Sequence, residues 1–178
     1  IYVELSRGNE DYSPELLFGD ALFNYYSVWV GENYPILKPI MAFFPKGDKD
    51  LGIEQLKSVS TNAFYTRTEA QFFLMRILSD ERQDLPRALQ ISKYLHETFP
   101  RNAYFHRYFA RLSYFTGRYA EAKKESLSIL DRIDSLEVGY ESQSGRYASF
   151  FLGHINDMKG NISEALKYYQ LCVDYSEY

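Results

Sequence analysis

The chain has 178 residues and a formal net charge of −4; it is 46% hydrophobic, 25% charged and 17% aromatic, with 17 Tyr and 13 Phe. These proportions suit one folded domain over residues 1–178. The acidic balance and the lack of a dense Lys/Arg stretch (the strongest cluster is Arg101, Arg107, Arg111 and Arg118) argue against nucleic-acid binding, and no apolar run reaches the ~18 residues of a transmembrane helix.

Ser13-Pro14-Glu15 opens the first helix: Ser caps, Pro suits the first turn, and Glu favours the positive end of the dipole. The run from Leu16 to Val30 carries only Asp20 as a charge, which predicts a buried helix broken by Gly31 and Pro35. Residues 34–45 are an apolar insert bracketed by prolines, expected to cap the first helix pair rather than to serve as a contact patch. A turn at 46–50 leads into a helix over about 51–60, with Leu51, Leu56 and Val59 as its apolar stripe. Asp48 and Asp50 read as helix-start residues rather than a calcium loop, because Val59 stands where the closing Glu would be needed.

Further helices are expected over 65–78, 85–98, 102–115 and 119–136, then one that reaches Met158 and a last one after Gly160. Phe99-Pro100 ends the second of these, since the residue before Pro resists helical angles. Asn102 supplies a cap, and Asn161 with Glu164 has the spacing of a capping box. No useful strand alternation or interdomain linker is visible.

The helices repeat. Ala88 and Ala122 lie 34 positions apart, in Asp84-Leu85-Pro86-Arg87-Ala88-Leu89 and Gly117-Arg118-Tyr119-Ala120-Glu121-Ala122, and Gly160-Asn161-Ile162-Ser163-Glu164-Ala165 opens a third unit. Leu152-Gly153, Gly160, Glu164-Ala165, Tyr169 and Cys172 follow the small-and-large pattern of the tetratricopeptide repeat. Phe109-Ala110, Gly117, Tyr119 and Glu121-Ala122 match it in the repeat before, Phe72, Ala88, Leu95 and Pro100 in the one before that, and Gly52 marks a weak first copy. The chain thus resembles the tetratricopeptide repeat family, and more loosely a divergent bacterial group within it. The step from Ala122 to Ala165 is 43 rather than 34, so the pitch is irregular near 131–145.

The resemblance implies an all-α fold, a right-handed α-solenoid of antiparallel helix pairs with about four repeats. It implies a non-catalytic scaffold that holds a protein or peptide partner in a concave groove; a separate, purely structural alternative is a homo-oligomer formed through the apolar solenoid ends. An exported, cell-envelope location is a weaker implication of the same likeness. The family's groove positions fall on Tyr104, Arg107, Arg111 and Tyr114 in the third repeat and on Tyr147, Phe150 and His154 in the fourth. Arg can pair two-pronged with a carboxylate while aromatic rings supply apolar contact. The alternative is an aromatic-lined protein for a small molecule or glycan, or an accessory domain of a larger assembly.

Neither an enzyme nor a cofactor is indicated. There is no Gly-x-Ser-x-Gly elbow and no phosphate-cradling loop. His96, His106 and His154 are scattered without His-x-x-x-His spacing, so no metal site is expected. The only cysteine, Cys172, reads as inert core.

Overall fold

The computed structural model describes residues 14–81 and 84–176, and among these the chain is all-helical. The helices are α1 (Pro14–Asn33), α2 (Lys38–Met41), α3 (Lys49–Asn62), α4 (Arg67–Asp80), α5 (Leu85–Thr98), α6 (Ala103–Phe115), α7 (Tyr119–Asp134), α8 (Ser142–Met158) and α9 (Ile162–Asp174), with a 3-10 turn at Pro35–Leu37. The described residues fall into two compact units that divide between Ile77 and Leu78, inside α4.

In the first unit α1 packs on α3. The contact is close because Gly52 of α3 has no side chain: a Cβ there would lie 2.8 Å from both the Ala21 carbonyl and the Tyr25 amide. Ala21 and Tyr25 are accordingly the buried residues of α1. Sequence reading expected a wholly buried helix ending at Gly31. Instead α1 continues to Asn33, and most of its apolar residues are half-exposed: α3 covers the Ala21–Tyr25 side, while Phe18 and Tyr26 meet the Phe73 ring of α4. The α3 stripe also differs: Gly52, Ile53, Leu56 and Val59 are buried while Leu51 faces out, since the helix starts at Lys49 and its register follows the Gly52 contact. The Asp48 side chain accepts from the amides of Asp50 and Leu51, as a helix-start aspartate should. Ser13 lies outside the described residues.

The 34–45 insert lies against α1 with Leu37 and Met41 half-buried, but it leaves much of its apolar surface in solvent: Ile36 and Phe43 are 86% and 90% exposed, and Tyr34, Ile40 and Phe44 are also exposed. The prolines keep the segment in short helical turns, too brief to bury more than the Leu37–Met41 side.

In the second unit each helix packs on the next: α5 on α6, α6 on α7, α7 on α8, and α8 on α9, with a smaller contact between α6 and α8. Its core gathers Ala103, Ala110, Ile129, Leu130, Tyr140, Ala148 and Leu152. The hairpin turns at Gly117 and Gly160 have φ of 75° and 74°, which favours glycine over any residue with a Cβ. Asn102 caps α6 by accepting from the amides of Tyr104 and Phe105. Asn161 makes no such bond at α9; its amide instead donates to the Asn156 side chain at 3.4 Å, so the expected capping box does not form. Cys172 is half-buried rather than core.

Candidate functional site

Helices α6 and α8 run side by side in the second unit, and between them lies a recess of about 240 Å³. Tyr104, Arg107, Tyr108 and Arg111 face it from α6, and Gln143, Ser144, Tyr147, Ala148 and Phe151 from α8. The α6 residues recur at three- and four-residue steps, so one helical face carries them all. Small residues at Ala110 and Ala148 form part of the lining and leave room between the larger rings.

The two arginines are held differently. Arg107 donates to Ser144 Oγ at 2.8 Å and to the Gly139 carbonyl at 3.4 Å, and its guanidinium lies over the Tyr104 ring. It therefore ties α6 to the segment that enters α8. Arg111 lies over Tyr108 and Phe115 and is 3.8 Å from an Asp80 carboxylate oxygen, with much of its side chain exposed. An exposed pair at that distance contributes little, so Arg111 can exchange Asp80 for an incoming carboxylate at small cost. Tyr104 and Tyr108 stack at 4.9 Å and form one flat wall.

Of the residues singled out from sequence, Tyr104, Arg107, Arg111 and Tyr147 line this recess. Tyr114, Phe150 and His154 lie outside its lining and join an adjoining ring cluster. There Tyr114 stacks on Phe151 at 4.4 Å, its hydroxyl is 2.7 Å from His154 Nδ1, and the Phe150 ring lies parallel to His154. Phe151 belongs to both groups. Burial pushes the Tyr114 hydroxyl above its ordinary pKa, so it stays protonated at neutral pH. Tyr108, Gln143 and Ser144 were missed. Tyr108 was within reach of sequence reading, being four residues from Tyr104 on the same helix face; Ser144 was not, because the start of α8 was uncertain.

A second cluster went unread. His96 of α5, His106 of α6 and Glu125 of α7 converge, and their ligand-capable atoms lie within 4.8 Å of one another. The scatter of histidines in sequence is thus undone by the fold. His96 and His106 are each five residues from Arg101 in the α5–α6 turn, and positions equidistant from a hairpin turn face each other. The two imidazoles stack at 4.4 Å with 22° between planes. Glu125 Oε2 is 3.1 Å from His106 Nε2 and 3.5 Å from His96 Nε2. His106 Nε2 is off the line of a good hydrogen bond, and buried His96 Nδ1 has no hydrogen-bond partner. On the far side of His106, Nδ1 is 2.9 Å from the Tyr140 hydroxyl.

Burial lowers the His106 pKa below its ordinary value, against the opposing pull of Glu125. Contact with His106, then with His96, holds the Glu125 carboxyl far below the usual carboxylate range, although burial works against it. At neutral pH the cluster therefore presents a neutral His106 imidazole and an ionised carboxylate.

Compared with family models, curated proteins and solved structures, the chain matches none.

Proposed function

We propose that this chain is a non-catalytic interaction scaffold of tetratricopeptide-repeat type, whose α6–α8 recess anchors an acidic group of a protein or peptide partner. On this reading the helix pairs form a right-handed superhelix of about four repeats. The observation that carries the proposal is the pairing of Arg107 and Arg111, one helical turn apart, over a wall of stacked tyrosines. Flat rings supply apolar contact, while Arg111 supplies a charge held only by a weak surface pair.

Volume favours a peptide over a glycan. Small-molecule pockets run from roughly 300 to 1,000 Å³, whereas this recess holds about 240 Å³, room for a single side chain or a chain terminus. The rest of a bound peptide would lie along the exposed rings of Tyr147 and Phe150. The outer face of α9 leaves Ile162, Leu166 and Val173 exposed. Repeat stacks continue or pair through such faces.

The test is selection from a peptide library displayed with free and with blocked carboxyl termini, against the chain and against Arg111→Glu/Tyr147→Ala. Selected peptides should be rich in Asp, Glu or free carboxylates. A hydrogen bond to a charged group contributes about 1.5–3 kcal/mol, so the variant should bind them roughly 10- to 100-fold more weakly. Selection without acidic enrichment, or equal binding by a folded variant, would reject this site.

A further inference from the structure

We propose that His96, His106 and Glu125 form a binding site for one divalent transition metal ion of the Zn²⁺ class. The site is separate from the peptide recess and does not depend on it.

The donor set is the first argument. Two imidazoles and one carboxylate suit Zn²⁺ and its first-row neighbours, while Ca²⁺ and Mg²⁺ demand oxygen ligands that this pocket lacks. Three protein ligands leave a fourth position for water, as in open zinc sites.

Spacing is the second. Bonds of about 2.0–2.1 Å arranged tetrahedrally set the ligand atoms roughly 3.3–3.4 Å apart. The carboxylate oxygen stands 3.1 Å from one imidazole nitrogen and 3.5 Å from the other, on either side of that value. The third edge is bounded by 4.8 Å. The stacked rings direct their in-plane lone pairs nearly parallel, so binding requires one imidazole to tilt. His96 is the ring free to do so: its side chain is 15% exposed, whereas that of His106 is 1% exposed.

An unmet polar atom is the third argument. A self-contained hydrogen-bond network satisfies its own buried groups. Here the fully buried His106 aims Nε2 at the carboxylate, 3.1 Å away, without an aligned hydrogen bond. A cation among the three groups would use the His106 lone pair and the carboxylate charge together.

The outer ring of contacts is the fourth. Metal-bound histidines usually give their other N–H to a fixed oxygen. Tyr140, itself buried, supplies that oxygen to His106 Nδ1, and Lys124 lies 3.1 Å from the other oxygen of Glu125. His96 has no such support, so the affinity should fall below that of a closed four-ligand structural site. Tyr140 follows Gly139, whose carbonyl receives Arg107, so the bound ion would stiffen the segment on which the recess arginine leans.

The experiment is calorimetric titration of the untagged, chelator-stripped chain with Zn²⁺, repeated with Co²⁺ under visible spectroscopy. One Zn²⁺ per chain should bind and raise the melting temperature, and Co²⁺ should give the intense bands of four-coordination. His96→Gln and Glu125→Gln should each weaken binding by about 100-fold or more, and Tyr140→Phe by about 10- to 100-fold. Cys172→Ser should bind as the parent does. Should a variant fail to fold, imidazole nitrogen NMR on the parent chain decides: Zn²⁺ should shift the His96 and His106 resonances and leave His154 unmoved. No saturable binding, equal binding by the folded His96→Gln and Glu125→Gln variants, or unshifted His96 and His106 resonances would each overturn the site.

Discussion

Three glycine positions set the packing argument against the helix-propensity argument. Gly19 and Gly52 sit inside helices of the same unit, where replacing Gly by Ala gains about 0.8–1.0 kcal/mol if nothing else changes. A Cβ at Gly19 meets nothing within 4 Å. Gly19→Ala should therefore stabilise the chain by about that amount. At Gly52 the same Cβ would strike the Ala21 carbonyl oxygen and the Tyr25 amide, both at 2.8 Å, and the Tyr25 Cβ at 3.1 Å. Two of these atoms are backbone, so relief requires α1 and α3 to separate, and overpacking of this kind costs about 1–3 kcal/mol. Subtracting the propensity gain leaves a net loss of about 1 kcal/mol. The two variants should then differ by about 2 kcal/mol, or roughly 4–8 °C in melting temperature. Gly153→Ala provides an intermediate case, because the nearest atoms its Cβ would meet belong to the Tyr169 side chain and not to backbone. Urea and thermal unfolding followed by circular dichroism measure all three. If Gly52→Ala proves as stable as Gly19→Ala, the α1–α3 approach is not as close as described, and the small-residue packing argument for the repeats falls with it.

Asn102→Ala should cost about 1 kcal/mol, because two helix amides lose their acceptor. Asn161→Ala should cost clearly less, since its side chain caps nothing, and equal losses in urea unfolding would contradict that contrast. Cys172, the single cysteine, should react slowly with a thiol reagent. Burial raises its pKa above the ordinary 9.0, so the midpoint of its pH–rate profile should exceed that value, and a midpoint at or below 9.0 would refute the assignment. The sign for stability follows: the folded chain favours the protonated thiol, so this contribution is lost as pH rises through 9 and beyond. Arg111→Ala should leave unfolding within about 0.5 kcal/mol of the parent, because its partner Asp80 is exposed and 3.8 Å away; a larger loss would mean the residue serves the fold rather than a ligand.

Sequence alone determined what depends on near neighbours. Helical period, the Asp48 and Asn102 caps, the Gly117 and Gly160 turns and the Phe99-Pro100 stop are local chemistry, and each appears where the residues placed it. Tyr104, Arg107 and Arg111 were reached through the groove positions that the tetratricopeptide resemblance implies, and their three- and four-residue spacing on α6 lets one helix face carry them to the recess. What the sequence left open depends on partners distant in the chain. The number of apolar residues in α1 suggested burial, but only the number of helices around it could decide that. The 34–45 insert was apolar enough to cover something, and its short turns do lie on α1, but only the fold shows that Leu37 and Met41 turn inward while Ile36 and Phe43 stay in solvent. Tyr114, Phe150 and His154 sit beside the recess, in a ring cluster that shares Phe151 with it, and which candidates line the recess itself is set by helix packing and not by spacing. His96, His106 and Glu125 come from three helices, and nothing along the chain joins them. Only the antiparallel return of α5, α6 and α7 brings two imidazoles and a carboxylate within reach of one ion, because proximity between helices is fixed by how their faces interlock.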